Sequence, residues 1–212
     1  DFLLPNSIVD RGVKKLEACV FSYFTDCSIG RTMPLDQLFT DGFEAVFIGS
    51  GAGLPQFLNI PGENLLGVYS ANEYLTRINL MKAYRDDYDT PIKSNAKRIA
   101  VVGAGNVAMD AARCAKRMGA DEVFIVYRRG RNELPARAEE VHHAEEEGIE
   151  FRLLNNPVEI LGDIDGKVVG LNCVRMKLGA PDASGRASVT PIAGSEFAMV
   201  ADAVLVAIGT TP

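Results

Sequence analysis

A chain of 212 residues, 47% of them hydrophobic, is long enough for one full domain with a real core and part of another. It shows no apolar run near the ~20 residues of a membrane span and no basic-then-apolar opening, so neither a membrane segment nor a secretory signal is expected. A net charge of -6 gives no reason to expect nucleic acid or an anionic membrane as partner, and the expected location is the cytoplasm.

Cys19, Cys27, Cys114 and Cys173 stand apart, with no C-x-x-C pair. A zinc site, an iron-sulfur cluster or a redox dithiol within the chain therefore has no support, and buried reduced thiols are expected. The chain opens on Asp1 and stops at Pro212 just after an apolar run, which reads as a piece of a longer protein.

In chain order, a helical stripe runs from Pro5 to Cys19, and Val20 to Phe24 reads as a short strand. Pro34 introduces a short helix over Leu35 to Phe39. Glu44 to Ile48 has the composition of a buried strand running into Gly49-Ser50-Gly51-Ala52-Gly53. Ser70-Ala71-Asn72-Glu73 is a capping box that predicts a helix from Ala71 to about Tyr84. Residues 85–97 are polar, contain Pro91 and read as an interdomain linker.

Beyond the linker the alternation is regular. Arg98 to Val102, Glu122 to Tyr127 and Glu150 to Leu154 are predicted strands. Asn106 to Met118 is a predicted helix burying Val107, Ala111, Ala115 and Met118, and a second helix should open at Pro135 and end at Gly148. Such alternation predicts a parallel sheet. After Asn156-Pro157 the pattern changes to an antiparallel hairpin or meander: Val158 to Leu161, a turn at Asp165-Gly166, Val168 to Met176, a turn at Asp182 to Gly185, Val189 to Ile192, and Glu196 to Met199. A last buried strand covers Ala203 to Ala207.

Gly103-Ala104-Gly105-Asn106-Val107-Ala108 falls between the first strand and the first helix of this series. There Gly103 permits a tight turn, Gly105 removes a side chain where a pyrophosphate must approach, and Ala108 allows close helix-strand packing. The helix N-terminus offers free N-H groups to the phosphates. At the end of the second strand, where an NAD site usually carries an acidic residue, stand Arg128-Arg129, with Arg131 close by. Guanidinium groups bind a 2'-phosphate that a carboxylate would repel. One charge-assisted hydrogen bond, worth roughly 1.5–3 kcal/mol, gives about tenfold or more in favour of NADPH over NADH.

These residues resemble the small (beta) subunit of NADPH-dependent glutamate synthase and its relatives, including the amino-terminal half of dihydropyrimidine dehydrogenase and the NADP-binding subunit of NADH-dependent ferredoxin:NADP oxidoreductase. The resemblance extends over Phe43 to Gly53, Asn59 to Asn64, Gly67 to Leu75, Gly103 to Arg113, Tyr127 to Arg129, Glu133 to Ala136 and Ala207-Ile208-Gly209. It implies a Rossmann-like NADPH domain at 97–206, inserted in an FAD domain of which 1–96 is the middle segment and 207–212 the crossover back. It further implies NADPH contacts at Gly105, Asn106, Val107, Arg128, Arg129, Ala207, Ile208 and Gly209. FAD would lie near Gly49, Ser50, Gly51 and Ala52.

The family's FAD-pyrophosphate motif and cysteine-rich amino-terminal domain have no counterpart here, and Phe2-Leu3-Leu4-Pro5 lacks the usual Arg. The resemblance therefore implies a fragment that holds FAD poorly by itself, with iron-sulfur clusters only outside this chain. It implies hydride transfer from NADPH to FAD and onward electron transfer to a glutamate synthase large subunit or a related acceptor. No side-chain acid or base is needed for that transfer, so no catalytic residue is expected. Other readings are a non-catalytic NADPH module, or a reductase feeding ferredoxin. A thioredoxin reductase-like enzyme is disfavoured without its C-x-x-C.

His142-His143 beside Glu145-Glu146-Glu147 reads as a solvated helix face rather than a metal site, since adjacent helical residues point apart. Ser50 lacks a G-x-S-x-G frame and is not read as a nucleophile. Asp110 either steadies the phosphate-loop turn or serves as a surface or capping residue. Glu133 either meets the cofactor ribose or pairs with an arginine.

Overall fold

The computed structural model describes residues 6–19, 22, 24–85, 87, 88, 92, 96–181 and 185–212. Most of the predicted strand at 20–24, most of the 85–97 linker and most of the 182–185 turn lie outside them. Two compact units emerge, 1–52 with residue 212, and 53–211.

The first unit contains α1 (Asn6–Glu17) and α2 (Leu35–Thr40), the latter entered at Pro34 as expected. The predicted buried strand at Glu44 to Ile48 does not form. Phe47 is 94% exposed, and among the described residues no strand pairs with it. An apolar pentapeptide becomes a strand only when neighbours complete its hydrogen-bond ladder. Cys19 and Cys27 are exposed as well, a correction to the expectation of buried thiols.

In the second unit β1 (Leu54–Pro55) pairs with β11 (Thr210–Thr211). A five-stranded, wholly parallel sheet follows. Its members are β2 (Val68–Ser70), β3 (Arg98–Val102), β4 (Glu122–Tyr127), β5 (Glu150–Leu153) and β10 (Ala203–Val206), in the order β2-β10-β3-β4-β5. It is wider than the three-strand series read from the sequence. All four residues of β10 are buried, as befits a central strand covered on both faces.

One face of the sheet packs on α3 (Ala71–Leu75) and α4 (Asn106–Arg117), and α5 (Ala138–Glu146) packs against α4. The other meets an antiparallel sheet of β6 (Asn155–Gly162), β7 (Val168–Pro181), β8 (Ala187–Pro191) and β9 (Phe197–Val200). Between the sheets Ala100, Val102, Phe124, Val126, Val204 and Val206 pack against Ile160, Leu171, Cys173 and Met199. The fold is thus three-layered α/β, a parallel sheet between helices and an antiparallel meander.

Four local expectations change. Ser70 caps α3 through Glu73 N-H at 3.1 Å, but α3 passes into a π turn over Thr76–Leu80 and stops before Lys82, whose φ is +53°. In α4, Ala111 and Ala115 are buried, whereas Val107 is 44% exposed and Met118 is also exposed. The buried face is broad, taking in Ala108, Met109 and Ala112, because α4 is flanked by α3, α5 and the sheet. α5 begins at Ala138 rather than Pro135, because Ala136 N-H bonds the Ala104 carbonyl and Arg137 N-H bonds Asn106 Oδ1. Those donors hold residues 135–137 across the preceding loop. β5 ends at Leu153, and Leu154 (φ +56°) turns the chain directly into β6.

Candidate functional site

The strand order changes direction between β3 and β10, the place where open α/β sheets bind ligands beyond the carboxyl ends of their strands. A cleft of about 870 Å³ opens there. Gly103 leaves β3 with φ +128°, and a Cβ there would run into the Ala207 carbonyl. Only glycine fits this crossing. Gly103 N-H is held by the Val126 carbonyl at 3.0 Å and Ala207 N-H by the Val102 carbonyl at 2.8 Å, so both strand ends are fixed.

Gly105 is the N-cap of α4 and offers no capping side chain. The first-turn N-H groups of Asn106 and Val107 have no intrahelical acceptor and carry the positive end of the helix dipole. Asn106 Oδ1, by contrast, accepts from Arg137 N-H at 2.9 Å, so this side chain stitches the turn to the start of α5. Ala108 is fully buried and closes the helix onto the sheet.

The arginines separate. Arg128 is exposed and lines the cleft. Arg129 lines it too but is only 9% exposed, and its Nε donates to the Ala187 carbonyl at 2.9 Å. Arg131 does not line the cleft; it pairs with Glu145 at 2.6 Å, which holds the Glu145 carboxyl below its ordinary range. Arg186, which the sequence reading missed, lines the same cleft as Arg128. No motif marks it, because a long meander brings it back. Among the described residues lining the cleft, the charged ones are Arg128, Arg129 and Arg186, with no Asp or Glu, in a chain of net charge -6.

Ala207, Ile208 and Gly209 line the cleft beside the Gly103 turn, with the Gly209 carbonyl accepting from Gln56 N-H at 3.0 Å. The Glu63 carboxylate gathers the N-H groups of Leu58 (2.6 Å), Asn59 (2.8 Å) and Ile60 (3.3 Å), shaping the loop that lines the cleft mouth. Asn155, 8% exposed, also lines the cleft, and its Oδ1 is a buried acceptor without a hydrogen-bond partner. Gly49, Ser50, Gly51 and Ala52 lie exposed in the first unit and are not among the lining residues.

The remaining candidates stand elsewhere. Burial, then the nearby Glu140 carboxylate, raises Asp110 above the usual carboxylate range against the opposing pull of Arg113. Glu133 accepts Tyr127 Oη-H on its backbone carbonyl at 2.9 Å. His142 pairs with Glu146 at 3.3 Å on the exposed face of α5. Burial pushes Cys114 up to about 11 and Cys173 to about 12, so both remain thiols at neutral pH.

Glycine turn, open helix N-terminus and arginine-lined cleft at the switch point define a dinucleotide-binding α/β protein. A family-wide profile for pyridine nucleotide-disulphide oxidoreductases matches residues 11–212, and the chain belongs to that family. It is 38% identical over 210 residues to the NADP(+)-dependent formate dehydrogenase subunit beta of Moorella thermoacetica, covering 98% of this chain and 28% of that protein. It is 35% identical to the glutamate synthase [NADPH] small chain of Halomonas elongata, covering 100% of this chain and 44% of that one. The chain thus spans less than half the length of these relatives. In fold it is similar to FprA from Mycobacterium tuberculosis, solved in complex with NADPH, with a TM-score of 0.78 and 23% identity over 96% of this chain and 58% of that one.

Proposed function

We propose that the cleft binds NADPH and that the chain is the NADPH-binding portion of a flavin-dependent oxidoreductase subunit of the glutamate synthase type. The observation that carries this reading is that the charged residues lining the cleft, among those described, are all arginines, placed beside a glycine turn and a helix N-terminus. The N-H groups of Asn106 and Val107 hold the pyrophosphate, Gly103 and Gly105 give it room, and Arg128 selects the 2'-phosphate. Ala207 to Gly209 line the same cleft, and Gly49 to Ala52 lie near FAD in the whole protein. Bound there, NADPH supplies hydride to the flavin; the chain's own residues bind, orient and select it.

Relatives named for formate dehydrogenase and for glutamate synthase share this module. We therefore assign the donor side to this chain, and iron-sulfur clusters and the accepting subunit to the rest of the machinery. Among the described residues no helix is long and apolar enough to cross a membrane, in keeping with a cytoplasmic site of action.

Fluorescence titration with NADPH and NADH tests the reading. Arg128→Ala should raise the Kd for NADPH by about tenfold or more while changing that for NADH little. Equal losses for the two cofactors would overturn the assignment.

A further inference from the structure

Resting on the NADPH reading, the geometry points to Arg186 as a second specificity-determining residue for the 2'-phosphate, with Arg129 as the positioning residue that sets it opposite Arg128. Arg128 and Arg186 are both exposed and line one cleft, although they leave different sheets. Each immediately precedes one half of a single tie, the 2.9 Å bond from Arg129 Nε to the Ala187 carbonyl. Ala187 is also in register with Pro181 at the end of β7, so the turn end of the β7–β8 hairpin is fixed on two sides. Burial of Arg129 makes that tie a fixed part of the fold, unlike a surface contact that opens to water.

Charge supplies the reason for two cations. A phosphomonoester carries about -1.5 to -2 near neutral pH and presents three acceptor oxygens, more than one guanidinium neutralises. Two guanidinium groups lining the same cleft match both charge and acceptors. NADH has a 2'-hydroxyl there, so removing either arginine should penalise NADPH selectively. An arginine that stacks on the adenine or merely holds the hairpin would support both cofactors alike.

The test is a set of NADPH and NADH titrations on the unmodified chain, Arg128→Ala, Arg186→Ala and the double variant, each checked for folding by thermal melting. Arg186→Ala should raise the Kd for NADPH about tenfold and leave that for NADH essentially unchanged. The double variant should lose less than the product of the single effects, because both groups meet one phosphate. Arg129→Met should reduce the NADPH:NADH preference, and Arg129→Lys, which keeps a donor for the Ala187 carbonyl, should restore much of it.

If the unmodified chain binds both cofactors equally, the NADPH reading itself fails. If it prefers NADPH and Arg128→Ala removes the preference while Arg186→Ala does not alter it, only the inference about Arg186 fails. Parallel losses of NADPH and NADH in Arg186→Ala would also overturn it.

Discussion

Asn106 and Arg128 stand at adjoining strand ends and, on the proposed function, serve the same ligand by different means. The Asn106 side chain already accepts Arg137 N-H, so its contribution to a pyrophosphate site comes from its backbone N-H and from holding the turn in place. Asn106→Ala should therefore cost about 1 kcal/mol of stability, the usual worth of one hydrogen bond. It should also weaken NADPH and NADH alike, where Arg128→Ala separates them. Melting curves and paired titrations check this. A selective loss of NADPH in Asn106→Ala would instead put its side chain on the 2'-phosphate. Motif spacing marks both residues but does not reveal which atoms are already engaged. That knowledge depends on Arg137, a residue on another loop.

At the scale of elements, α4 and α5 are joined by a partly buried ionic network. Arg113, 6% exposed, bonds Glu140 at 3.1 Å and Glu147 at 2.8 Å, and Arg117 adds a 2.7 Å bond to Glu147. Hydrogen bonds from Arg117, then from Arg113, hold the Glu147 carboxyl below its ordinary range. Asp110 is shifted the opposite way, by burial and then by Glu140. The signs therefore differ. Ionised Glu147 contributes stability above its unfolded-state value of about 4.5, and that contribution is lost as pH falls through its lower folded value. Ionised Asp110 opposes folding at neutral pH, and the penalty is relieved as pH falls through its raised folded value.

Glu147→Gln should thus lower Tm at pH 7, with the difference closing at acid pH. Asp110→Asn should raise Tm at pH 7, with the gain fading as wild-type Asp110 takes up a proton. Melting both variants from about pH 2 to 7 checks the pair, and shifts of the same sign at pH 7 would contradict it. The run of β3, α4, β4 and β5 was legible because each element carries its own pattern, down to the bounds of β3 and β4. The start of α5 was not, because donors on Ala136 and Arg137 answer to acceptors on another loop. Strand 44–48 failed for the same reason in reverse: its composition was right, but a strand needs a ladder that composition does not supply. Arg186 escaped notice because only the folded meander returns it to the end of β4.

For the molecule as a whole, the buried hydrophobic residues among those described lie in 53–211, from Ala71 to Val206, while none of those whose exposure is described in 7–52 is buried. Phe24, Phe39, Phe43, Phe47 and Ile48 of the first unit are all exposed. Since apolar burial is the dominant favourable term in folding, local opening should be cheap in the first unit and should approach the global cost in the second. Limited proteolysis should therefore cut first within 6–52 and leave a resistant product spanning 53–211. NADPH at about a hundred times its Kd should stabilise that product by about 2.7 kcal/mol, because the proposed ligand site lies wholly within it. Cleavage of 6–52 should proceed at the same rate with or without the cofactor, as read by mass spectrometry of the early products. Early cuts inside 53–211 would contradict the stability argument. Protection of both units by NADPH would mean that the ligand also engages residues of 6–52, extending its site beyond the cleft that ends at Thr210.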